Sequence, residues 1–567
     1  MTPSEALSEL AKRYWHFVCE EQPLSAILAG EKSDAVALFR EAPADYARRY
    51  EAAGAMLREL AAIPAAELSG QDRSTRTLLE RELSDIRSQI DVDAHLRPWL
   101  LPAGPDFNTV FFANSTSLNS IGDAKLYVER LASLPAFLDQ VRVNLQAGYD
   151  KGVRYPRVVL AGAARSARGM ADAPAETSPW FGPIKRSTLA ETADMRQLGE
   201  RALVIIRQKI QPTMCAYADA LEGPLSEGAR DNLSCVDTPG GDEYYAYFAK
   251  LFSSSDQTPG DIHRLGIDEV ARLELEIAQV AADAGFAGDV DGYRRFLAED
   301  AQFAVGSKEE LRASLESLCK RVDLKIPAFF KRIPRITYGV ELMPEAIAAS
   351  MPAGYAQPSP GDGSTAGVFW ANSLVSKCRS YMHVPLVVHE AWPGHLMHIA
   401  LMQEQKSLPA FRRHGAMKYT ACVEGWALYC ESLAIEMGLY ETPHQHYGRL
   451  EMEMWRAVRL VVDTGIHAYG WGRDQAIDYM SARLTLDRAS IEGEVDRYAA
   501  LPGQALAYQI GNLKMRALRK RAEDVLGARF SHRTFHEAVM TAGGVTLQIL
   551  EDVIEDWLAR ETAPAAA

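Results

Sequence analysis

Apolar residues recur at helical spacing along most of this chain, and that periodicity restricts it to a mainly α-helical fold. The stretch TPGDIHRLGIDEVARLELEI at 258–277 is the clearest case. Thr258 or Asp261 can cap it, and Ile262, Leu265, Val270, Leu273 and Ile277 fall on one face. Similar patterns occupy much of 1–30, 44–95, 123–150, 190–222, 296–320, 403–437, 447–468 and 504–527, with mixed turn chemistry at 97–122 and 174–188. One region breaks the habit. Residues 334–343 (PRITYGVELM) and 365–372 (TAGVFWAN) are β-leaning and flank the turn PSPGDGS at 358–364. They predict one small sheet or long hairpin just before the most unusual segment of the chain. A boundary expected within 230–260, drawn at 240, separates a helical N-terminal lobe (1–240) from a chemistry-bearing lobe (241–567), the alternative being a single continuous unit.

Charge narrows the partners. There are 61 Lys+Arg against 75 Asp+Glu, a net charge of −14, which argues against nucleic acid or an anionic membrane, since both need a basic footprint. No apolar run reaches the roughly 18 residues of a membrane span. The opening MTPSEALSELAKRYWHF carries acids and no apolar h-region, so no signal peptide is expected. The seven cysteines occur without a C-x-x-C pair, which suits reduced thiols, and the expected compartment is the cytoplasm.

The chemistry concentrates in one place. Eight of the 13 histidines fall between 383 and 467. At the centre, Leu386-Val387-Val388 delivers His389-Glu390, followed by Pro393-Gly394-His395. This pattern is similar to H-E-x-x-H, in which two histidines one helical turn apart bind zinc and the Glu activates the metal-bound water. The spacing is six rather than four, and six residues of regular helix turn roughly 600°, putting the rings on nearly opposite faces. Pro393 cannot donate to the carbonyl of residue 389, and Gly394 tolerates unusual backbone. A distortion looping out about two residues is therefore expected to return His395 to the ligand position. The competing reading is a kinked core helix with stray histidines. His398, one turn past His395, is expected to support the site, or to replace His395 as ligand.

The third ligand is expected from EGWALYCE at 424–431, where Glu424 and Glu431 share one face of an apolar helix. Buried carboxylates are costly unless paired or metal-bound. Glu424 is the expected ligand, and Glu431 is expected to orient a histidine; ordinary ion pairs with an arginine are the alternative. On the next helix Arg456, Asp463 and His467 lie along one line. Arg456 and Asp463 could be a purely architectural pair, whereas His467 is a candidate to contact substrate or a developing oxyanion. Past Pro502, a probable helix start, Gln504 and Tyr508 sit one turn apart, and the Tyr508 hydroxyl is a second oxyanion candidate. Arg456, Arg459 and Arg497 are candidates to clamp a substrate C-terminal carboxylate, which would favour exopeptidase action.

HEAWPGH at 389–395, EGWALYCE at 424–431, VVDTGIHAYGW at 461–471 and PGQALAYQIG at 502–511 resemble, in that order, the bacterial family called domain of unknown function 885. TPGDIHRLG at 258–266 and YAQPSPGDGSTAGVFWAN at 355–372 match it too, so the likeness covers most of the chain. That family is similar in fold to the carboxypeptidase Taq, neurolysin and angiotensin-converting-enzyme group. The resemblance implies a two-lobed helical zincin with a deep channel between its lobes. It implies one Zn²⁺ per chain on His389, His395 and Glu424, with Glu390 as base, and it lends Tyr508 and His467 support as transition-state contacts.

Three functions compete at this point. The leading expectation is a zinc metallopeptidase acting on short peptides, a carboxypeptidase or dipeptidase among them, with the 365–372 segment pairing with extended substrate. The second is a zinc amidase or esterase on a small non-peptide substrate. The third is a metal-free helical scaffold that has lost catalysis.

Overall fold

The computed structural model describes residues 1–31, 33–68, 70–101, 104–348 and 351–563. The fold is mainly α-helical with one small sheet, as the periodicity requires. The helices that matter below are α1 (Pro3–Glu21), α2 (Ile121–Asp150), α3 (Pro259–Asp283), α4 (His383–Glu390), α5 (His395–Gln403), α6 (Thr420–Glu436), α7 (Pro443–Tyr469), α8 (Arg488–Ala500) and α9 (Ala507–Leu526).

Local rules explain the helix ends. Thr258 caps α3 through its side chain, and Asp261 returns the bond to the Thr258 N–H, a reciprocal capping box with Pro259 in the first turn. Of the apolar face, Ile262, Val270, Leu273 and Ile277 are buried. Two expected long helices are interrupted. The 44–95 segment is Pro43–Ala61 and Gln71–Asp91, parted around Pro64, and α5 stops at Gln403 so that Pro409 lies between it and α6.

Of the two expected forms, a small sheet or a long hairpin, the structure has the small sheet. β1 (Tyr338–Leu342) and β3 (Gly367–Ala371) run parallel, and β2 (Gly354–Gln357) lies antiparallel on the other side of β3, giving the order β1-β3-β2. The hairpin is β2–β3, closed by the 358–364 turn, with Tyr355 opposite Trp370 and their rings stacked at 6.3 Å. Because β3 is the middle strand, both its edges are taken, and it has no free edge for an extended substrate. Only β1 and β2 present one.

Two apolar cores organise the chain, and neither respects residue 240. One joins Leu7 and Tyr14 of α1 to Phe369, Val387, Trp426 and Met515. The other joins Tyr127 and Leu131 of α2 to Leu273 of α3, Val458 and Val461 of α7 and Tyr498 of α8. Helix α7 borders both, since Leu460 belongs to the first core and its neighbour Val461 to the second. Its polar residues therefore face several different elements.

Candidate metal centre

Helix α4 is buried along its whole length, Val387 and Val388 completely, and it carries His389 and Glu390 in its last turn. It ends at Glu390, and α5 begins at His395. The expected looped-out helix is thus a full break between two helices. Gly394 makes the fold-back possible: a Cβ there would lie 1.9 Å from the carbonyl oxygen of His389 and 2.4 Å from that of Val388. Trp426 Nε1 donates to the Pro393 carbonyl at 2.9 Å and pins the break from α6. The two rings meet, with centroids 4.8 Å apart and planes at 88°.

Glu424 completes the group. Its Oε2 lies 3.5 Å from His389 Nε2 and 3.4 Å from His395 Nε2, and that oxygen is buried without a hydrogen-bond partner. Tetrahedral ligands about 2.0 Å from a zinc ion stand roughly 3.3 Å from one another. The three donors, all within 4.8 Å of one another, therefore fit a zinc ion. Glu431, one side of α6 along from Glu424, is 2% exposed and accepts a hydrogen bond from His389 Nδ1 at 2.8 Å, so Nε2 is the nitrogen left facing Glu424.

The electrostatics call for a cation. Burial alone would push the His389 pKa down, but Glu424 and Glu431 outweigh it and hold it at about 9. Glu424 sits well below the usual carboxylate range despite its burial, because His395 and His389 favour its charge. Burial raises the Glu390 carboxyl, with His389 working against the shift. A proton on His389 is thus what the Glu424 and Glu431 carboxylates favour.

His398 is not among the three converging groups. Its ring is 1% exposed, neither nitrogen has a partner among the described residues, and burial followed by the charge of His395 pushes its pKa down to about 3. It is a neutral ring packed on Trp426 at 5.6 Å.

The polar line on α7 disperses. Arg456 and Asp463 do not pair: Asp463 accepts from the Tyr245 hydroxyl at 2.9 Å and from the Gly503 N–H at 3.0 Å, tying the 502–504 turn to α7. His467 is fully buried, with Cys235 N–H 3.2 Å from Nδ1 and Nε2 donating to the Tyr498 carbonyl at 3.0 Å. Burial holds its pKa at about 4, so both nitrogens of a neutral ring are committed to backbone and none is left for substrate. Pro502 lies in a turn rather than at a helix start, with α9 beginning at Ala507 after a short 3₁₀ turn over Gln504–Leu506.

Tyr508, by contrast, lies where the Glu424 charge reaches it. Burial and then the Glu424 carboxylate push its pKa up, and its hydroxyl accepts from Gln504 Nε2 at 3.4 Å, leaving its own proton available. Glycines create this proximity: a Cβ on Gly425 would meet Gly511 Cα at 2.5 Å, so α6 and α9 cross backbone to backbone beside Glu424 and Tyr508. Arg497 donates to Gln504 Oε1 at 2.7 Å and to Glu494, so its fork is already engaged. Glu494 and Trp426 carry parts that the sequence reading did not assign. The E-x-x-R spacing to Arg497 marks the first, and an indole N–H that needs a partner marks the second.

The family described as bacterial protein of unknown function (DUF885) matches residues 23–554. The chain belongs to that family. No curated protein matches it. Among solved structures, a "putative lipoprotein" from Colwellia psychrerythraea is 27% identical with a TM-score of 0.92, covering 99% of this chain and 100% of its own. A "putative lipoprotein of unknown function" from Shewanella oneidensis shares the fold at a TM-score of 0.73 and 17% identity, covering 97% and 99%. These neighbours overturn the expected cytoplasmic location. The cysteines explain the error: all seven are free, and five of them are buried, which any compartment accommodates. Among the described residues no helix is long and apolar enough to cross a membrane.

Proposed function

We propose that this protein is a zinc-dependent hydrolase that cleaves amide bonds in short peptides, working outside the cytoplasm. The observation that carries the reading is the buried, unpartnered Glu424 Oε2 facing two imidazole Nε2 atoms at 3.5 and 3.4 Å. Two His and one carboxylate with a fourth position open is the donor set of hydrolytic zinc sites. Zinc held there supplies the Lewis acidity that makes water a nucleophile near neutral pH. Glu390, next to a ligand and 9% exposed, takes the proton from the attacking water and hands it to the leaving amine. The Tyr508 hydroxyl, whose proton is free, donates to the oxyanion that develops on the scissile carbonyl. Glu431 keeps His389 in the tautomer that presents Nε2. The lipoprotein neighbours support a place outside the cytoplasm.

The test is elemental analysis of the wild type and His389→Ala, purified without a metal-binding tag, followed by a peptide library set against acylated small molecules. About one zinc per chain, lost in the variant, with peptide cleavage, is the expected result. Cleavage of the small acyl compounds alone would move the assignment to an amidase or esterase. A chain that takes up no zinc would be the inert scaffold.

A further inference from the structure

Two buried arginines, Arg456 and Arg459, and the half-buried Arg497 surround Tyr508, and the ion pairs among the described residues leave Arg456 without a carboxylate. Arg497 is paired with Glu494 through two nitrogens. Arg459 shares the same Glu494 at 3.1 Å and bonds the Tyr498 hydroxyl at 3.1 Å through Nε, yet its Nη1 is buried with no partner. Arg456 has no carboxylate in ion-pairing range among the described residues. Both its hydrogen bonds leave from Nη1, to the carbonyl and the sulfur of Met452 at 3.2 and 3.0 Å, and its Nε is unpartnered. Arg456 is 5% exposed and Arg459 4%. Guanidinium groups so deep are costly without an anion.

The rings around them show which direction is left open. Arg459 lies 4.4 Å from the Tyr508 ring centroid and 4.5 Å from that of Trp455, and Arg456 lies 4.8 Å from Trp455 and 5.9 Å from Tyr508. The rings flank both guanidinium groups, and the buried N–H groups without a partner among the described residues, Arg459 Nη1 and Arg456 Nε, are the fork that remains to be filled. That fork matches a carboxylate. The carboxylates that reach Arg456 from a distance are those of Glu431, Glu424 and Glu390, and of these Glu424 is the one a bound dication would claim.

We propose that Arg456 and Arg459 form a buried receptor for a carboxylate of the substrate, placed on the Tyr508 side of the metal ligands. The proposal rests on the hydrolase reading above and makes it selective for peptides bearing a negative charge just beyond the scissile bond. The carboxylate comes from the peptide's C-terminus or from an acidic side chain. Arg497, already saturated by Glu494 and Gln504, is not part of the receptor.

Binding separates these cases. The full-length Glu390→Gln variant, zinc-loaded, is titrated calorimetrically with acetyl-Ala-Ala-Phe, with its C-terminal amide, and with acetyl-Ala-Ala-Asp amide. The acid is expected to bind at least tenfold tighter than the Phe amide. A tight Asp amide with an acid as weak as the Phe amide identifies the side chain as the source, a tight acid with an Asp amide as weak as the Phe amide identifies the C-terminus, and equal tight binding of both shows that the receptor takes a carboxylate from either. Arg456→Met and Arg459→Met, each in that background, are expected to erase the preference while leaving Phe-amide binding unchanged. Acid and Asp amide both binding no tighter than the Phe amide, or none of the three binding, overturns the receptor without any arginine variant. Zinc content is measured on the same samples. Zinc without a preference for either carboxylate removes only the receptor, whereas such a preference without zinc keeps the receptor and removes the hydrolase reading.

Discussion

Glu431 grips His389 from the side opposite Glu424: its Oε1 lies 2.8 Å from Nδ1, while Glu424 Oε2 lies 3.5 Å from Nε2. The imidazole is held between two carboxylates of one helix seven residues apart, so one helix both orients the ring and shares its ligand plane. Glu431→Gln keeps the shape and removes the charge. It is expected to weaken zinc binding by about 10- to 100-fold. Competition with a chromophoric chelator measures this, and an unchanged affinity would rule out the orienting role.

In the proposed reaction, Glu390 and Tyr508 divide the proton chemistry from the charge chemistry. Glu390→Gln is expected to lower kcat by about 10²–10⁴-fold with zinc content intact. Tyr508→Phe should lower kcat by roughly 10²-fold with little change in KM, because the hydroxyl matters most when the oxyanion forms. Steady-state kinetics on any cleaved peptide distinguishes the two, and a Tyr508→Phe defect confined to KM would assign that hydroxyl to ground-state binding instead.

The break at Gly394 admits no side chain. Gly394→Ala would place a methyl 1.9 Å from the His389 carbonyl oxygen, so α4 and α5 must move apart. A loss of roughly 3 kcal/mol or more of stability is expected, together with loss of zinc. Urea unfolding and elemental analysis check both, and a variant that keeps wild-type stability and zinc would mean the two helices can part without cost.

Asp463 gives the fold a pH dependence of defined sign. Burial first raises its pKa, to about 7 from an ordinary 3.8, against the opposing bonds from Tyr245 and Gly503. The folded state therefore holds a proton that the unfolded chain has released. Stability is greatest below the unfolded value, falls as pH rises from about 4 to 7, and is flat above that, at about 1.4 kcal/mol per pKa unit. Asp463→Asn mimics the protonated form, so its stability advantage over the wild type should grow between pH 5 and pH 8. Denaturant unfolding at the two pH values reads the difference directly; a gap that stays constant contradicts the shift.

Local chemistry in this chain was legible wherever the reason for a residue lay within a few positions of it. His389-Glu390 and Pro393-Gly394-His395 announce both the ligands and the break, and Glu424 with Glu431 announces a helix face meant for them. The line of Arg456, Asp463 and His467 misled because helical geometry says which residues share a face and nothing about what opposes them. Helix α7 borders two cores, and those three side chains meet Met452, Tyr245 with Gly503, and Cys235 with Tyr498. Strand β2 escaped notice because four residues opening on a glycine carry too little alternation to register, and its pairing with β3 is set by the fold around it. Compartment was illegible for a different reason: a reduced, buried thiol does not report the redox state of its surroundings.

Where Gly425 meets Gly511, two main chains touch with nothing compressible between them. The gap between α6 and α9 at this crossing is consequently set by backbone thickness and not by the volume of any packed residue. Repacking the two cores can soften or stiffen the molecule, but it has no lever on that gap. The working dimension of the site is insulated from the drift that ordinary core exchange allows.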